Sequence, residues 1–334
     1  MRNLKVFIAY NGAAYHGFQR QANAVTVQEV VEKAIGKLLK IPPPTVYGCS
    51  RTDAGVHARR FCFNVHLDSK IPCEGFVKGM NTLLPDDIAV LSCEDVSEDF
   101  HARYDTKVKE YVYLINNRPS RDVFLQKLAY HYPYPLDIPK MTLAAYQFRG
   151  WHDFSGFCRA EGKARVKSAV RLISSIEVTP DHSGMCEIRV RGNGFLYNMV
   201  RIIAGTLIYV SEGKRTVDDV IRAIETGERE LAGPTLPPEG LYLNEVIYDF
   251  GIPTAAHELL NALDKLHTTE LGEKRVRKNI GDVPDAVEWA KAQIRLPNAV
   301  IKRVGKNYLI IVDQYRITVN AGSLTLITAH KNRL

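Results

Sequence analysis

The sequence predicts an α+β protein: two successive sandwiches of antiparallel sheet and helices, with a smaller α+β unit behind them. Three observations carry this expectation. Strand-length apolar runs and helix-period stripes follow one another twice over about 250 residues. The two runs are similar in size without repeating each other's sequence. After Gly251-Ile-Pro253 the character changes to three helical stretches followed by four short strands.

In chain order, residues 4–10 (LKVFIAY) read as a strand ended by Asn11-Gly12. Thr26-Val-Gln-Glu29 has the form of a capping box, opening a helix whose Val27, Val30, Val31, Ile35, Leu38 and Leu39 form one stripe; Pro42, Pro43 and Pro44 stop it. A strand at 60–67, a helix at 74–84 and a strand at 88–96 complete the first run. The second run has a strand at 108–116, a helix at 139–149 and two strands expected to pair at 169–179 and 185–192. A long apolar helix at about 195–210, a helix capped by Thr216 and ended by Gly227, and a strand at 241–249 close it. Beyond the Pro-containing joint, helices are expected at about 256–266, 269–280 and 285–295. Strands follow near 299–304, 308–313, 315–319 and 323–328. The division expected is 1–105, 106–250 and 254–334.

The 334 residues are 46% hydrophobic, 24% charged and 9% aromatic, a globular composition that excludes disorder and collagen-like structure. No apolar stretch approaches the ~20 residues of a membrane span, and the opening run is too short for a signal peptide. The six cysteines show neither a CxxC pair nor zinc spacing, which fits reduced core residues and a cytoplasmic setting. The net charge of +7 is unevenly spread: residues 1–250 carry +2 and residues 251–334 carry +5. Arginines crowd two segments, Arg51 with Arg59 and Arg60, and Arg159 through Arg171. Such clusters fit either solvated loops or contacts to a polyanion.

Two features point to chemistry. Gly48-Cys-Ser-Arg-Thr-Asp-Ala-Gly-Val-His-Ala58 is polar and turn-rich between strand-like segments, and places Asp53 two residues from Arg51. An Asx turn would explain a bare Asp-Ala-Gly equally well. Separately, Arg201 interrupts the apolar helix Phe195–Tyr209, and a buried guanidinium without a partner costs several kcal/mol. Pairing Arg201 with Asp53 would satisfy the arginine and keep the aspartate ionised, as a carboxylate nucleophile or base requires; a structural ion pair elsewhere is the alternative.

Arg51-Thr-Asp-Ala-Gly-Val-His-Ala58 is similar to the signature of the TruA-type pseudouridine synthases, the bacterial tRNA pseudouridine synthase A family. Other motifs fall in that family's order and spacing: Tyr10-Asn-Gly-x-x-Tyr-x-Gly-Phe-Gln-Arg-Gln21, Val27-Gln28, Asn81-x-Leu-Leu-Pro85, Phe100-His-Ala-Arg103, Lys109-Glu-Tyr-x-Tyr113, His152-Asp-Phe-Ser155, Met199-Val-Arg201 and Glu239-Gly-Leu-Tyr-Leu243. The resemblance covers about residues 3–250. It implies two RRM-like (ferredoxin-like) halves with a joined antiparallel sheet and a central cleft, acting as a homodimer on tRNA. The implied reaction is isomerisation of uridine to pseudouridine at positions 38–40 of the anticodon arm. It is redox-neutral and transfers no group, so no cofactor and no metal is expected.

By the same resemblance Asp53 is the essential carboxylate, attacking the nucleoside or removing a sugar proton; the sequence leaves both open. Arg201 would hold it charged. Arg51 would fill the space of an extruded base, Tyr111 would stack on the uracil and assist the late deprotonation at C5, and Leu243 would pack on the base from the far side. Arg59 and Arg60, with the Arg159–Arg171 segment, would contact phosphates. His57 and His101 read as structural histidines. Residues 254–334 lie outside that family: Leu263-Asp-Lys-Leu-His-Thr-Thr-Glu-Leu-Gly272 with Ile327-Thr-Ala-His330 resembles a small bacterial domain family without assigned function. Its charge suits an extra RNA contact. Arg303, Thr328 and His330 are conceivable residues of a ribonuclease-like site. The competing readings are a catalytically silent RNA-binding protein and a tail nuclease carried by a tRNA-targeting front.

Overall fold

The computed structural model describes residues 1–164, 166–248, 259–260, 262–281, 283–296 and 299–331, the side chains of residues 163 and 302 aside. The chain divides into two compact units, 1–248 and 249–334, each with its own hydrophobic core.

The first unit begins β1 (Arg2–Tyr10), α1 (Val27–Leu39), β2 (Tyr47–Gly48), β3 (His57–Leu67), α2 (Cys73–Leu83), β4 (Ile88–Val96). It continues β5 (Val108–Asn116), β6 (Tyr130–His131), α3 (Ile138–Tyr146), β7 (Gly150–Asp153), α4 (Ala160–Lys163), β8 (Val170–Pro180), β9 (Met185–Gly192), α5 (Met199–Ser211), α6 (Val217–Thr226), β10 (Leu241–Ile247). The strands form one sheet in the order β4-β1-β3-β10-β5-β9-β8-β7, with β2 beside β3 and β6 beside β5. Each half is a β-α-β-β-α-β unit. In both, the fourth strand lies beside the first, the first beside the third and the third beside the second, as β4-β1-β3-β2 and β10-β5-β9-β8. These are the two RRM-like halves of the expected α+β fold. Within each half the four main strands pair antiparallel, with the short β6 parallel to β5, and the seam between the halves is parallel and short: Tyr242 lies opposite His57 and Leu243 opposite Ala58.

Local chemistry fixes the elements. Thr26 caps α1 by accepting from Glu29 N, and the helix ends on Lys40 in the left-handed region at φ 56°. Val27, Val31 and Ile35 bury its stripe. Glu32, on the same helix, is buried and satisfied by Gln28 Nε2 at 2.8 Å, Val46 N at 3.1 Å and Arg20 Nη1 at 3.0 Å. The apolar helix starts at Met199 rather than near 195, because Asn198 takes a left-handed conformation (φ 62°) that breaks the turn before it. No helix of the described residues is long and apolar enough to cross a membrane.

In the second unit β11 (His267–Thr268), α7 (Glu270–Ile280) and α8 (Ala286–Ile294) precede the meander β12 (Val300–Val304), β13 (Asn307–Val312), β14 (Tyr315–Asn320), β15 (Thr325–Lys331). The sheet order is β11-β15-β14-β13-β12. Val276, Ile280, Ala290 and Ile294 of the helices pack on Ile310, Ile317, Val319 and Leu326. Of the helix expected at 256–266, residues 256–258 and 261 lie outside the described residues, and Leu263–Lys265 form a 3-10 turn.

Candidate active site

The segment that enters β3 is held from several sides. Gly55 has φ +77°, which a side chain rarely adopts, and its N–H donates to Tyr15 O at 3.1 Å. Gly17 approaches so closely that a Cβ there would lie 2.2 Å from Thr52 O. Thr52 Oγ1 bonds Tyr10 Oη at 2.8 Å in the core. The loop therefore presents Asp53 in a fixed place, with its neighbours locked by packing.

From the other half, Arg201 Nη1 donates to Asp53 Oδ2 at 3.1 Å, and Asn198 Nδ2 donates to the same oxygen at 3.3 Å. Arg201 is clamped in turn: its Nε donates to Leu236 O at 2.7 Å, and its own carbonyl accepts from Leu236 N at 3.3 Å. The predicted pair thus forms across the two halves. The side chains are about one-seventh and one-fifth exposed, 14% for Arg201 and 22% for Asp53. Arg201 acts on the charge state in the expected direction, but it is not the largest influence. Burial is the larger influence and leaves the Asp53 carboxyl above its ordinary range, with the Arg201 charge and hydrogen bond pulling it back down.

Asp53 opens onto a cavity of about 600 Å³ shared with Arg51, Lys109, Tyr111, Phe195 and Asn198. Tyr111 on β5 is 6% exposed; its ring meets Phe195 edge-on at 5.1 Å, and its hydroxyl bonds Ser50 Oγ at 3.0 Å. Burial pushes that phenol well above the usual tyrosine range. Arg51 is exposed at the cavity and makes no ion pair or hydrogen bond among the described residues.

Other predicted residues lie elsewhere. Leu243 is Cα partner to both Tyr111 and Ala58 and is fully buried in the sheet; Leu241, one pleat away, lines the cavity instead. Arg59 shares the face of His57 and Tyr242, opposite that of Tyr111 and Leu243; its guanidinium lies 4.9 Å from the Tyr242 ring and donates to Asn244 Oδ1 at 3.1 Å. Arg60 pairs with Glu245 at 2.9 Å over the Phe7 ring. Neither arginine lines the cavity. Arg171 is folded onto the carbonyls of Ser168 and Val170, Arg159 faces Glu161 at 3.7 Å, and residue 165 lies outside the described residues. His57 is buried, stacked on Tyr242, and accepts from Gly12 N at 3.0 Å.

Three residues escaped the sequence reading of the site. Lys109 precedes Tyr111 by two positions on the same strand face, and its Nζ donates to Cys49 O at 2.6 Å, bracing the loop; burial lowers its pKa. Strand periodicity from Tyr111 would have found it. Asn198 reaches Asp53 with its side chain only because its backbone is left-handed, and Leu236 acts through its backbone, neither of which a sequence pattern announces. In the second unit Thr328 and His330 lie close on β15, but Arg303 is on the edge strand β12, with β13 and β14 between, so the ribonuclease-like trio does not assemble.

The first unit thus joins two RRM-like halves around a cleft in which a half-buried carboxylate from one half is clamped by a guanidinium from the other. The chain belongs to the tRNA pseudouridine synthase family, which it matches over residues 6–105 and 144–249, and is an isomerase of that family. The tRNA pseudouridine synthase A of Ruminiclostridium cellulolyticum is 47% identical over 248 residues, 74% of this chain and 100% of the relative. That of Thermoanaerobacter sp. strain X514 is 44% identical with the same coverage. Residues 260–330 match a separate family described as a protein of unknown function (DUF3781).

Proposed function

We propose that the protein isomerises uridine to pseudouridine at positions 38–40 of the tRNA anticodon arm, with Asp53 as the essential carboxylate. The observation that carries this reading is the Asp53–Arg201 pair at 3.1 Å on the wall of a nucleoside-sized cavity. The target base leaves its stack and enters the cavity, and Arg51, uncommitted and planar, takes its place. Asp53 in its ionised form either attacks C1′, to be expelled when C5 bonds there, or removes a sugar proton that it later returns. The C1′–N1 bond breaks, the uracil turns against the Tyr111 ring, and C1′ bonds to C5. The C5 proton is lost and N1 gains one, so the atoms balance without a redox partner. Burial keeps the Tyr111 phenol protonated, so it acts as a relay: its oxygen receives the C5 proton as its own proton passes to Ser50 Oγ, 3.0 Å away, and on to solvent.

In this reading residues 1–105 and 106–250 are the halves of one catalytic region, 254–334 is an appended domain, and the enzyme works as a cytoplasmic homodimer. Release of tritium from tRNA labelled at uracil C5 tests it. Wild type should release the label, and Asp53→Asn should release essentially none while binding tRNA normally. Equal release by both would remove Asp53 from the chemistry.

A further inference from the structure

The second unit carries a cationic face that the reaction does not use. On α7, Leu271, Lys274, Arg275 and Lys278 are all exposed at the i, i+3, i+4, i+7 spacing of one helix face. None of these three cations makes an ion pair or hydrogen bond among the described residues. The acidic groups nearby are committed elsewhere: Glu273 holds Arg277 at 2.8 Å, Glu288 holds Lys291 and Asp264 holds Arg295; Glu270 stands in the first turn, where it complements the helix dipole. The patch is therefore not the solvated, sign-alternating surface of an ordinary helix.

Polar donors extend the same face onto the sheet. A register shift between β14 and β15 at Thr318/Val319 takes Thr328 out of strict alternation. Its Oγ1 accepts from Asn279 Nδ2 at 3.2 Å and lies 3.2 Å from His330 Nε2. His330 is in turn the cross-strand partner of Arg316, another exposed arginine without an ion pair among the described residues. A run of cations and amide, hydroxyl and imidazole groups with few carboxylates is the chemistry that meets successive phosphodiesters.

We propose that this α7–β15 face binds the phosphate backbone of the tRNA on which the first unit acts, as an accessory site that adds affinity without chemistry. Charge complementarity names the occupant: residues 251–334 carry +5 of the chain's +7 and are tethered to a member of a tRNA-enzyme family. Relatives of 248 residues lack the unit altogether, so it is dispensable for the family's reaction. A second contact on one chain raises the local concentration of RNA through the tether.

The test uses the full chain and an unmodified tRNA transcript. Kd is measured by fluorescence anisotropy from 50 to 300 mM KCl for wild type, for K274A/R275A/K278A, and for the charge-matched control K265A/R295A/K306A. Loss of three phosphate contacts should lower the slope of log Kd against log salt by about 2–3 and weaken binding at moderate salt by roughly tenfold. The control should stay within about twofold of wild type, and kcat should be unchanged in all three. K274R/K278R should bind as wild type, which separates charge from helix damage. Unchanged affinity and slope in K274A/R275A/K278A would overturn the proposal and leave the face to an acidic protein. Equal weakening in the control would overturn it too, reducing the effect to net charge. Asp53→Asn, inactive yet binding tRNA, distinguishes failure here from failure of the catalytic reading.

Discussion

At the scale of residues, the pair Asp53–Arg201 decides the protonation of the site. Burial raises the Asp53 carboxyl and Arg201 opposes it, so the carboxylate form exists only above this raised value. Arg201→Gln removes the opposing charge. The acid limb of the kcat/KM profile should then move to higher pH, with tRNA binding at neutral pH retained; a limb that stays in place would show that another group titrates. Glu110 shows the opposite balance. It is buried, and although burial pushes its carboxyl up, hydrogen bonds from Arg191 and Asn244 and the charges of Arg189 and Arg191 leave it below the ordinary glutamate range. A lowered folded pKa contributes stability that is present above the unfolded value, about 4.3, and is lost as pH falls through the folded one. Glu110→Gln should therefore cost about 1–3 kcal/mol at pH 7, since the arginines that lose their partner are partly solvated. In urea titrations the difference from wild type should shrink toward pH 3.

At the scale of elements, a close approach between backbones sets the site. A Cβ at Gly205 in α5 would lie 2.0 Å from Pro234 O, and one at Gly233 would lie 2.4 Å from the Gly205 carbonyl. The same stretch supplies Leu236, whose backbone grips Arg201 from two sides. Gly205→Ala, normally favourable inside a helix, should here force the segment outward, lower stability by about 1–3 kcal/mol and reduce turnover with it. Calorimetry and single-turnover kinetics would read both. Elements of strong periodicity were readable from the chain alone: the strands at Ile88–Val96 and Val108–Asn116 fall where alternation puts them, and Thr216 and Gly227 bound α6 as capping chemistry requires. What escaped was short or conformational. The edge strand Gly150–Asp153 is four residues long, too short for a period to register, and the late start of α5 depends on one left-handed asparagine. Of the site, the acid and its arginine were readable because each was anomalous in its setting. Lys109 is no anomaly by itself, and it becomes readable only by strand periodicity once Tyr111 is taken as a site residue.

At the scale of the whole molecule, two separate cores imply two folding units. Calorimetry of the full chain should resolve two transitions, and a chain ending at 248 should keep only the one belonging to the first unit together with its isomerase turnover. A single transition lost entirely on truncation would mean that the units fold as one. Within the first unit the situation is reversed, since one continuous core runs through both halves.

The two-pair seam between β3 and β10 makes that unity consequential. Leu243 is aligned at once with Ala58, five residues beyond Asp53, and with Tyr111. One strand thus acts as the gauge that spaces an acid from one half against an aromatic ring from the other. Slippage there by a single position would turn Tyr111's neighbour to the wrong side of the sheet. The halves are free to diverge in their loops and outer helices, but at that seam they are bound to change together or not at all.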